Sequence, residues 1–272
     1  MLAAILAGLF GLLIGSFLNA CVYRLPRDLS LWNPPRSFCP NCEKGIAWYD
    51  NLPAVSYLLL RGKCRKCAWP IPVRYFLLEI LCGIMYFVSI WLFGVTWQSA
   101  KLLVFTSICL ELIFSDFEER ILPDEFTKGG TVLGILFAWL APVPLGFSSL
   151  FVPNDWPAPA RAMVEAAMGA AFAYGALWTI SWLYRKVRNR EGMGMGDLKM
   201  AMMIGAFLGL MPMLLAMMAG SILGSVAGLI YIFAAKKDAA DYELPMGSFL
   251  GIAAIIVAIL DIYREVGSSV VH

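Results

Sequence analysis

The sequence predicts an all-α polytopic membrane protein of about eight transmembrane helices, with a small cytoplasmic zinc-binding domain between the first and second spans. Three observations predict it. Of the 272 residues, 60% are hydrophobic and 15% charged, and the mean hydropathy of +0.75 is too high for a soluble domain of this length. Apolar runs of spanning length recur along the chain, divided by Pro, Gly or charge. The net charge is only +2, yet nine Lys/Arg fall between Arg24 and Arg74 and four more between Arg185 and Arg190. Short basic loops stay in the cytoplasm, so this clustering sets orientation in the bilayer and argues against a nucleic-acid partner.

Residues 1–20 form an apolar helix with no basic segment before it and no small-residue cleavage site, so a retained span is expected rather than a signal peptide. Arg24 and Arg27 follow it and place its carboxyl end in the cytoplasm. Residues 24–74 are the one substantial polar stretch, rich in Pro, Cys and aromatics. Further spans are expected at about 75–95, 100–115, 126–144, 162–184, 198–211, 213–234 and 247–264, the pair 198–211 and 213–234 being divided near Pro212. The expected organisation is thus a first transmembrane helix over 1–23, a zinc domain over 24–74 and a membrane-embedded catalytic domain over 75–272. Counting from an outside amino terminus, the loops at 116–125, 185–197 and 235–246 are cytoplasmic. The latter two carry Arg185, Lys186, Arg188, Arg190, Lys236 and Lys237, as the charge rule requires. The proline-rich loop at 145–161 faces the other side with only Arg161 as a cation.

Within the polar segment, Cys39-Pro-Asn-Cys42 and Cys64-Arg-Lys-Cys67 are two C-x-x-C knuckles separated by 21 residues. That spacing lets four thiolates converge on one Zn²⁺. Four sulfur ligands leave no open coordination position, so such a metal is structural and supplies folding energy to a segment too small for its own apolar core. Disulfides, free thiols or a redox pair are the alternatives, and a reducing cytoplasm argues against disulfides. Cys21, Cys82 and Cys109 lie in apolar runs and read as packing residues.

The single histidine, His272, rules out a His-based triad, a zinc-protease helix motif and a His metal cluster. Hydrolysis of a peptide by this chain would therefore use two carboxylates sharing a proton and activating one water. The acidic residues at or within spans are Glu79, Glu111, Asp116, Glu165, Asp197 and Asp261. Glu79, Glu165 and Asp261 read as carboxylates near span ends that reach for water or a basic neighbour, and Glu111 has no assignment. Asp116 ends the third span, and Asp197 opens the sixth after Gly192-Met-Gly-Met-Gly196, so both sit at the cytoplasmic boundary and can meet. The glycines would let an extended substrate backbone approach Asp197, although the same loop could equally be a turn or an anion-binding helix start. A span of 198–211 reaches only about 21 Å at 1.5 Å per residue against a core of ~30 Å, which puts Asp197 below the membrane surface, where Gly-rich backbone must line protein or water. Helix polarity favours a charged Asp197 as base and a neutral Asp116 as acid. Asp124, after Pro123, is expected to be the N-cap of the fourth span.

These residues resemble the bacterial prepilin peptidases, also called type IV leader peptidases, over most of the chain. Gly15-Ser-Phe-Leu-Asn19 and Tyr23-Arg-Leu-Pro26 look like that family's opening motif. Cys39 to Cys42, Trp48-Tyr-Asp-Asn-Leu-Pro53, Ser56-Tyr-Leu, Leu60 to Cys67 and Arg74-Tyr75 to Glu79 resemble its cytoplasmic domain. Asp116 to Asp124 is similar to its first aspartate motif and Gly194-Met-Gly-Asp197 to its G-x-G-D motif. The resemblance implies that Asp116 and Asp197 are the catalytic aspartates and that Cys39, Cys42, Cys64 and Cys67 hold zinc. It further implies cleavage of a basic leader from type IV prepilins or type II secretion pseudopilins at the bacterial inner membrane. Many members also methylate the new amino terminus with S-adenosylmethionine, for which no residue here marks a site. In Leu244-Pro-Met-Gly-Ser-Phe-Leu250 the family more often has Phe for Met246 and Pro for Ser248, a departure expected to bear on the packing of the last span rather than on the aspartates. A basic leader would stay in the cytosol while an apolar pilin helix lies in lipid, which sets the scissile bond at the depth expected for the two aspartates. Glu118, Glu119, Asp124 and Glu125 could attract the leader or form an ordinary solvated loop. An ion-coupled transporter using the same aspartates, or a non-enzymatic assembly factor, are the rival classes.

Overall fold

Four of the long helices, those beginning at Val73, Asp124, Ala158 and Met246, start immediately after a proline. The computed structural model describes residues 1–142, 146–153, 155–189, 193–235 and 244–270. Gly192, Arg190, Lys236, Lys237 and His272 lie outside the described residues. The helices are α1 Leu2–Arg24, the short α2 Val55–Leu59, α3 Val73–Phe93, α4 Trp97–Glu119, α5 Asp124–Leu140, α6 Ala158–Arg188, α7 Met195–Leu208, α8 Leu210–Ala235 and α9 Met246–Val270. Pro72, Pro123 and Pro157 precede α3, α5 and α6 with extended ψ of 138, 136 and 137°. Their fixed φ and missing N–H cost nothing outside the first turn, while their carbonyls still accept, as Pro123 does from Thr127 and Pro157 from Arg161, each at 3.1 Å.

An all-helical membrane protein is what the described residues form, with a long helix at every expected span. Five of these, in α1, α3, α6, α8 and α9, are long and apolar enough by themselves to cross a membrane. The remaining three are shorter or carry charge: α4 contains Glu111 and Asp116, α5 has 17 residues, and α7 has 14. Two boundaries differ from expectation. Asp124 is the first residue of α5 and not its N-cap, which is Pro123. The break between α7 and α8 falls at Gly209, whose φ of 83° ends the helix, and Pro212 sits inside the first turn of α8, where its missing N–H would be unpaired in any case.

The chain divides into two compact units, Met1–Ser99 and Ala100–His272. In the first, α1 and α3 run antiparallel with the polar segment between them in sequence. In the second, α7 is enclosed by its neighbours, with Leu198, Met200, Ala201 and every residue from Met203 to Leu208 buried. Its tightest contact is with α6, where a methyl group on Gly205 would stand 2.6 Å from the Gly169 carbonyl oxygen. Phe105 of α4 and Phe137 of α5 pack on Phe207 with ring centroids at 5.1 and 6.4 Å. A helix buried on all sides needs no polar face, which is how 14 residues that rise only about 21 Å can sit in the middle of the unit.

Candidate functional site

The four cysteines of the polar segment meet. Their Sγ atoms all lie within 4.8 Å of one another, and Cys39 and Cys67 are 3.8 Å apart. Tetrahedral Zn–S bonds of about 2.3 Å require sulfurs at about 3.8 Å, so the cluster can hold such an ion. The two knuckles are built alike. The N–H of Cys39 donates to the Lys44 carbonyl and that of Cys64 to the Trp69 carbonyl. The Cys39 carbonyl accepts from Glu43 and the Cys64 carbonyl from Ala68, and Ile46 and Ile71 close each turn on Ser37 and Gly62. Glu43 and Ala68, each following a second cysteine, share a positive φ of 55 and 57°. Burial pushes the Cys39 thiol up to about 11, while the Trp69 backbone and the Asn41 amide draw Cys67 down to about 6. Donors aimed at a thiolate are the supporting groups of a metal-binding cysteine.

Two basic residues that the sequence presents as orientation charges have structural work in this segment. Arg24 is 5% exposed, and its guanidinium donates to the carbonyls of Ser30, Leu31, Pro34 and Arg36, gathering the loop that leads into the first knuckle. Arg65, between the second pair of cysteines, forms a two-pronged pair with Asp50 at 2.7 to 2.9 Å, and that carboxylate holds the guanidinium above its ordinary pKa.

In the second unit, the end of α4 carries Asp116 and the start of α7 carries Asp197, and the Leu122 side chain touches the backbone next to both. The ends of three helices frame the pair. Leu122, in the turn after α4, lies 3.1 Å from where a methyl group would sit on Gly196 and the same distance from one on Gly247, and Asp116 lies 3.2 Å from the latter. A side chain at Gly247 would crowd the Asp116 carboxylate, and one at Gly194 would touch the Asp197 carboxylate at 3.4 Å. Asp116, 6% exposed, accepts two hydrogen bonds on Oδ2, from the Ser248 N–H at 2.7 Å and the Ser248 hydroxyl at 2.9 Å. The amino end of α9 therefore holds the carboxylate from above. Nothing in composition or spacing marks Ser248; the only signal is its departure from the family pattern. The serine touches both the packing of the last span, through the Ile113 carbonyl, and Asp116, to which a proline there would offer neither donor.

The other acids take varied places. Asp124 receives Lys128 at 2.6 Å and Lys199 at 2.6 Å, which keeps its carboxyl below the usual range and ties α5 to the first turns of α7. Glu79 accepts the Ala54 N–H at 2.7 Å. Glu165 is buried against the loop at Gly146 and does not reach water. Glu111 is fully buried, and neither of its oxygens has a hydrogen-bond partner among the described residues. Cys21, Cys82 and Cys109 are wholly enclosed, as packing residues are.

Known proteins match the same two parts of the chain. Residues 9–93 match the model of the bacterial peptidase A24 N-terminal domain, and residues 103–229 that of the type IV leader peptidase family. A prepilin leader peptidase/N-methyltransferase of Myxococcus xanthus is 36% identical over 87% of this chain and 65% of its own length. Proteins of the same name from Xanthomonas campestris and Pseudomonas aeruginosa are each 33% identical, over 92% and 91% of this chain and 88% and 87% of theirs. No solved structure matches. With both family models in register with the cysteine cluster and the aspartate helices, and relatives aligned over nearly their whole length, the chain belongs to the type IV leader peptidase family.

Proposed function

We propose that this multi-pass membrane protein is an intramembrane aspartic endopeptidase that removes the basic leader from type IV prepilins or type II secretion pseudopilins at the cytoplasmic face of the inner membrane. Asp116 and Asp197 are its catalytic pair. The observation that carries the reading is geometric: Leu122 packs on both Gly196, next to Asp197, and Gly247, against Asp116, so acids from two separate helices end beside backbone with no side chains. One carboxylate takes a proton from water as the oxygen attacks the scissile carbonyl, and the other gives its proton to the departing amine. Ser248 keeps Asp116 oriented through this exchange.

In this reading 1–23 is the anchoring helix, 24–74 a zinc domain and 75–272 the peptidase domain. Zn²⁺ on Cys39, Cys42, Cys64 and Cys67 supplies folding energy rather than chemistry, since four thiolates leave it no open position. The new amino terminus is then methylated, with S-adenosylmethionine supplying an electrophilic methyl group. The basic leader in the cytosol and the apolar helix in lipid set the depth of the scissile bond.

Purified Asp116→Asn and Asp197→Asn proteins should each lose cleavage of a prepilin, by at least about a thousandfold, with zinc content and thermal unfolding unchanged. Cleavage at the wild-type rate by either variant would end the reading and favour a transporter or an assembly factor.

A further inference from the structure

Several motifs of the first unit have no part in peptide hydrolysis, yet they converge on one cavity of about 160 Å³. Ser16 and Asn19 come from α1, Tyr23 from its last turn, Tyr57 from α2, and Tyr75 and Glu79 from α3. They meet because a methyl group on Gly15 would lie 2.6 Å from the Glu79 Cα, so only glycine lets α1 come this close to α3.

The inner end of this cavity has more acceptors than donors. Glu79 is buried and accepts the Ala54 N–H at 2.7 Å, with the Ser16 and Asn19 side chains close enough to donate to it as well, so the acceptor without a partner here is on Asn19. A carboxylate has about four acceptor positions and no donor. The Asn19 amide is 2% exposed; its nitrogen donates to the Tyr75 carbonyl at 2.9 Å, and its Oδ1 is buried with no partner among the described residues. Among the described residues no Lys or Arg forms an ion pair with Glu79. Of the four cations that line the cavity, Arg24 is committed to four loop carbonyls, Arg65 to Asp50 and Lys66 to the Gly45 carbonyl at 3.0 Å, and the fourth is Lys44. Burying acceptors without partners costs about 1–3 kcal/mol each, and a group that is both cationic and rich in N–H donors removes that cost.

We propose that the Asn19 and Glu79 side chains form a binding site for an α-ammonium group, carried on a body the size of one residue. The volume sets that limit, since a cavity of about 150 Å³ holds a benzene-sized molecule. The three tyrosines give the body an apolar wall. Two molecules in the proposed reaction carry an α-ammonium: the processed pilin at its new amino terminus, and the methyl donor at its methionyl end. The cavity admits either end and is too small for the whole donor. The link to methyl transfer rests on the function proposed above; the binding site itself does not.

The full-length protein in detergent would be titrated with three probes: a decapeptide with a free amino terminus matching a processed pilin, the same peptide amino-acetylated, and S-adenosylhomocysteine. One free-amine probe should bind wild type, and Glu79→Gln, which keeps shape and removes charge, should weaken that binding about tenfold while prepilin cleavage stays at the wild-type rate. Acetylation should weaken the peptide at least tenfold if the peptide is the occupant; selective loss of S-adenosylhomocysteine binding in Glu79→Gln identifies the donor instead. The wild-type acetylation comparison needs no variant to fold. Equal binding of free and acetylated peptide together with unaltered S-adenosylhomocysteine binding by Glu79→Gln would overturn the site. Absence of prepilin cleavage by wild type would overturn the proposed function and leave these titrations readable.

Discussion

Ser248 is where a single residue changes the account of this chain. Its N–H donates to one oxygen of Asp116, and its single hydroxyl proton is shared between that oxygen at 2.9 Å and the Ile113 carbonyl at 3.0 Å, so the serine ties α9 to the last turns of α4. Ser248→Ala keeps the N–H and removes the hydroxyl. A hydrogen bond to a charged group contributes about 1.5–3 kcal/mol. Steady-state kinetics on a prepilin should therefore show kcat lowered about tenfold or more with KM unchanged; an unchanged kcat would mean that the backbone donor alone holds Asp116. Arg24 gives the same lesson in the other unit. As a letter after an apolar run it is an orientation charge, and only the folded loop reveals four carbonyls around its guanidinium. Glu111, an acid with no assignment in the sequence, stays the least explained, because burial without a partner says what it costs and not what it does.

Among the elements, the double knuckle depends most directly on a ligand. Apart from the isolated bridges Phe38 to Gly45 and Lys63 to Pro70, its backbone has little regular pairing, and its four converging cysteines, Cys39 buried and the others half-buried, take the place of an apolar centre. Structural zinc in small domains contributes on the order of 10–16 kcal/mol. Elemental analysis should find one zinc per chain, falling toward none in Cys64→Ser. Chelation should open the segment between residues 37 and 71 to proteolysis at Lys44, Lys63 and Arg65. Equal protease resistance with and without chelator would show that the knuckles stand without metal. In the other unit α7 needs no ligand. Its enclosed faces and the Asp124 to Lys199 pair hold Asp197 in place, so the acid sits on the best-packed helix rather than on a loop.

For the molecule as a whole, the charge rule and the helix order together predict which side each turn faces. Cysteines introduced at Ser30 and Asn189, on a background lacking other reactive cysteines, should be reached by a membrane-impermeant maleimide only after the cells are opened. Those introduced at Gly94 and Ser149 should react from outside at once. Labelling of Asn189→Cys from outside would place the end of α6 on the wrong side and separate Asp197 from a cytosolic leader.

Periodicity and length by themselves determined the helices, because eight long apolar runs bounded by proline, glycine or charge admit little else in a bilayer. Spacing determined the cysteine cluster as well, since two C-x-x-C turns carry their own geometry wherever they meet. The end of α7 at Gly209 rather than near Pro212 had to come from the backbone: a proline is tolerated in a first turn, and the letter does not say which turn it occupies. The tertiary structure also decided what surrounds the acids. Ser248 lies 132 residues from Asp116, and Glu79 lies 25 residues from Ala54. Hydrogen bonds between such distant partners leave no period in the sequence, and they exist only once packed helices have brought the groups within 3 Å.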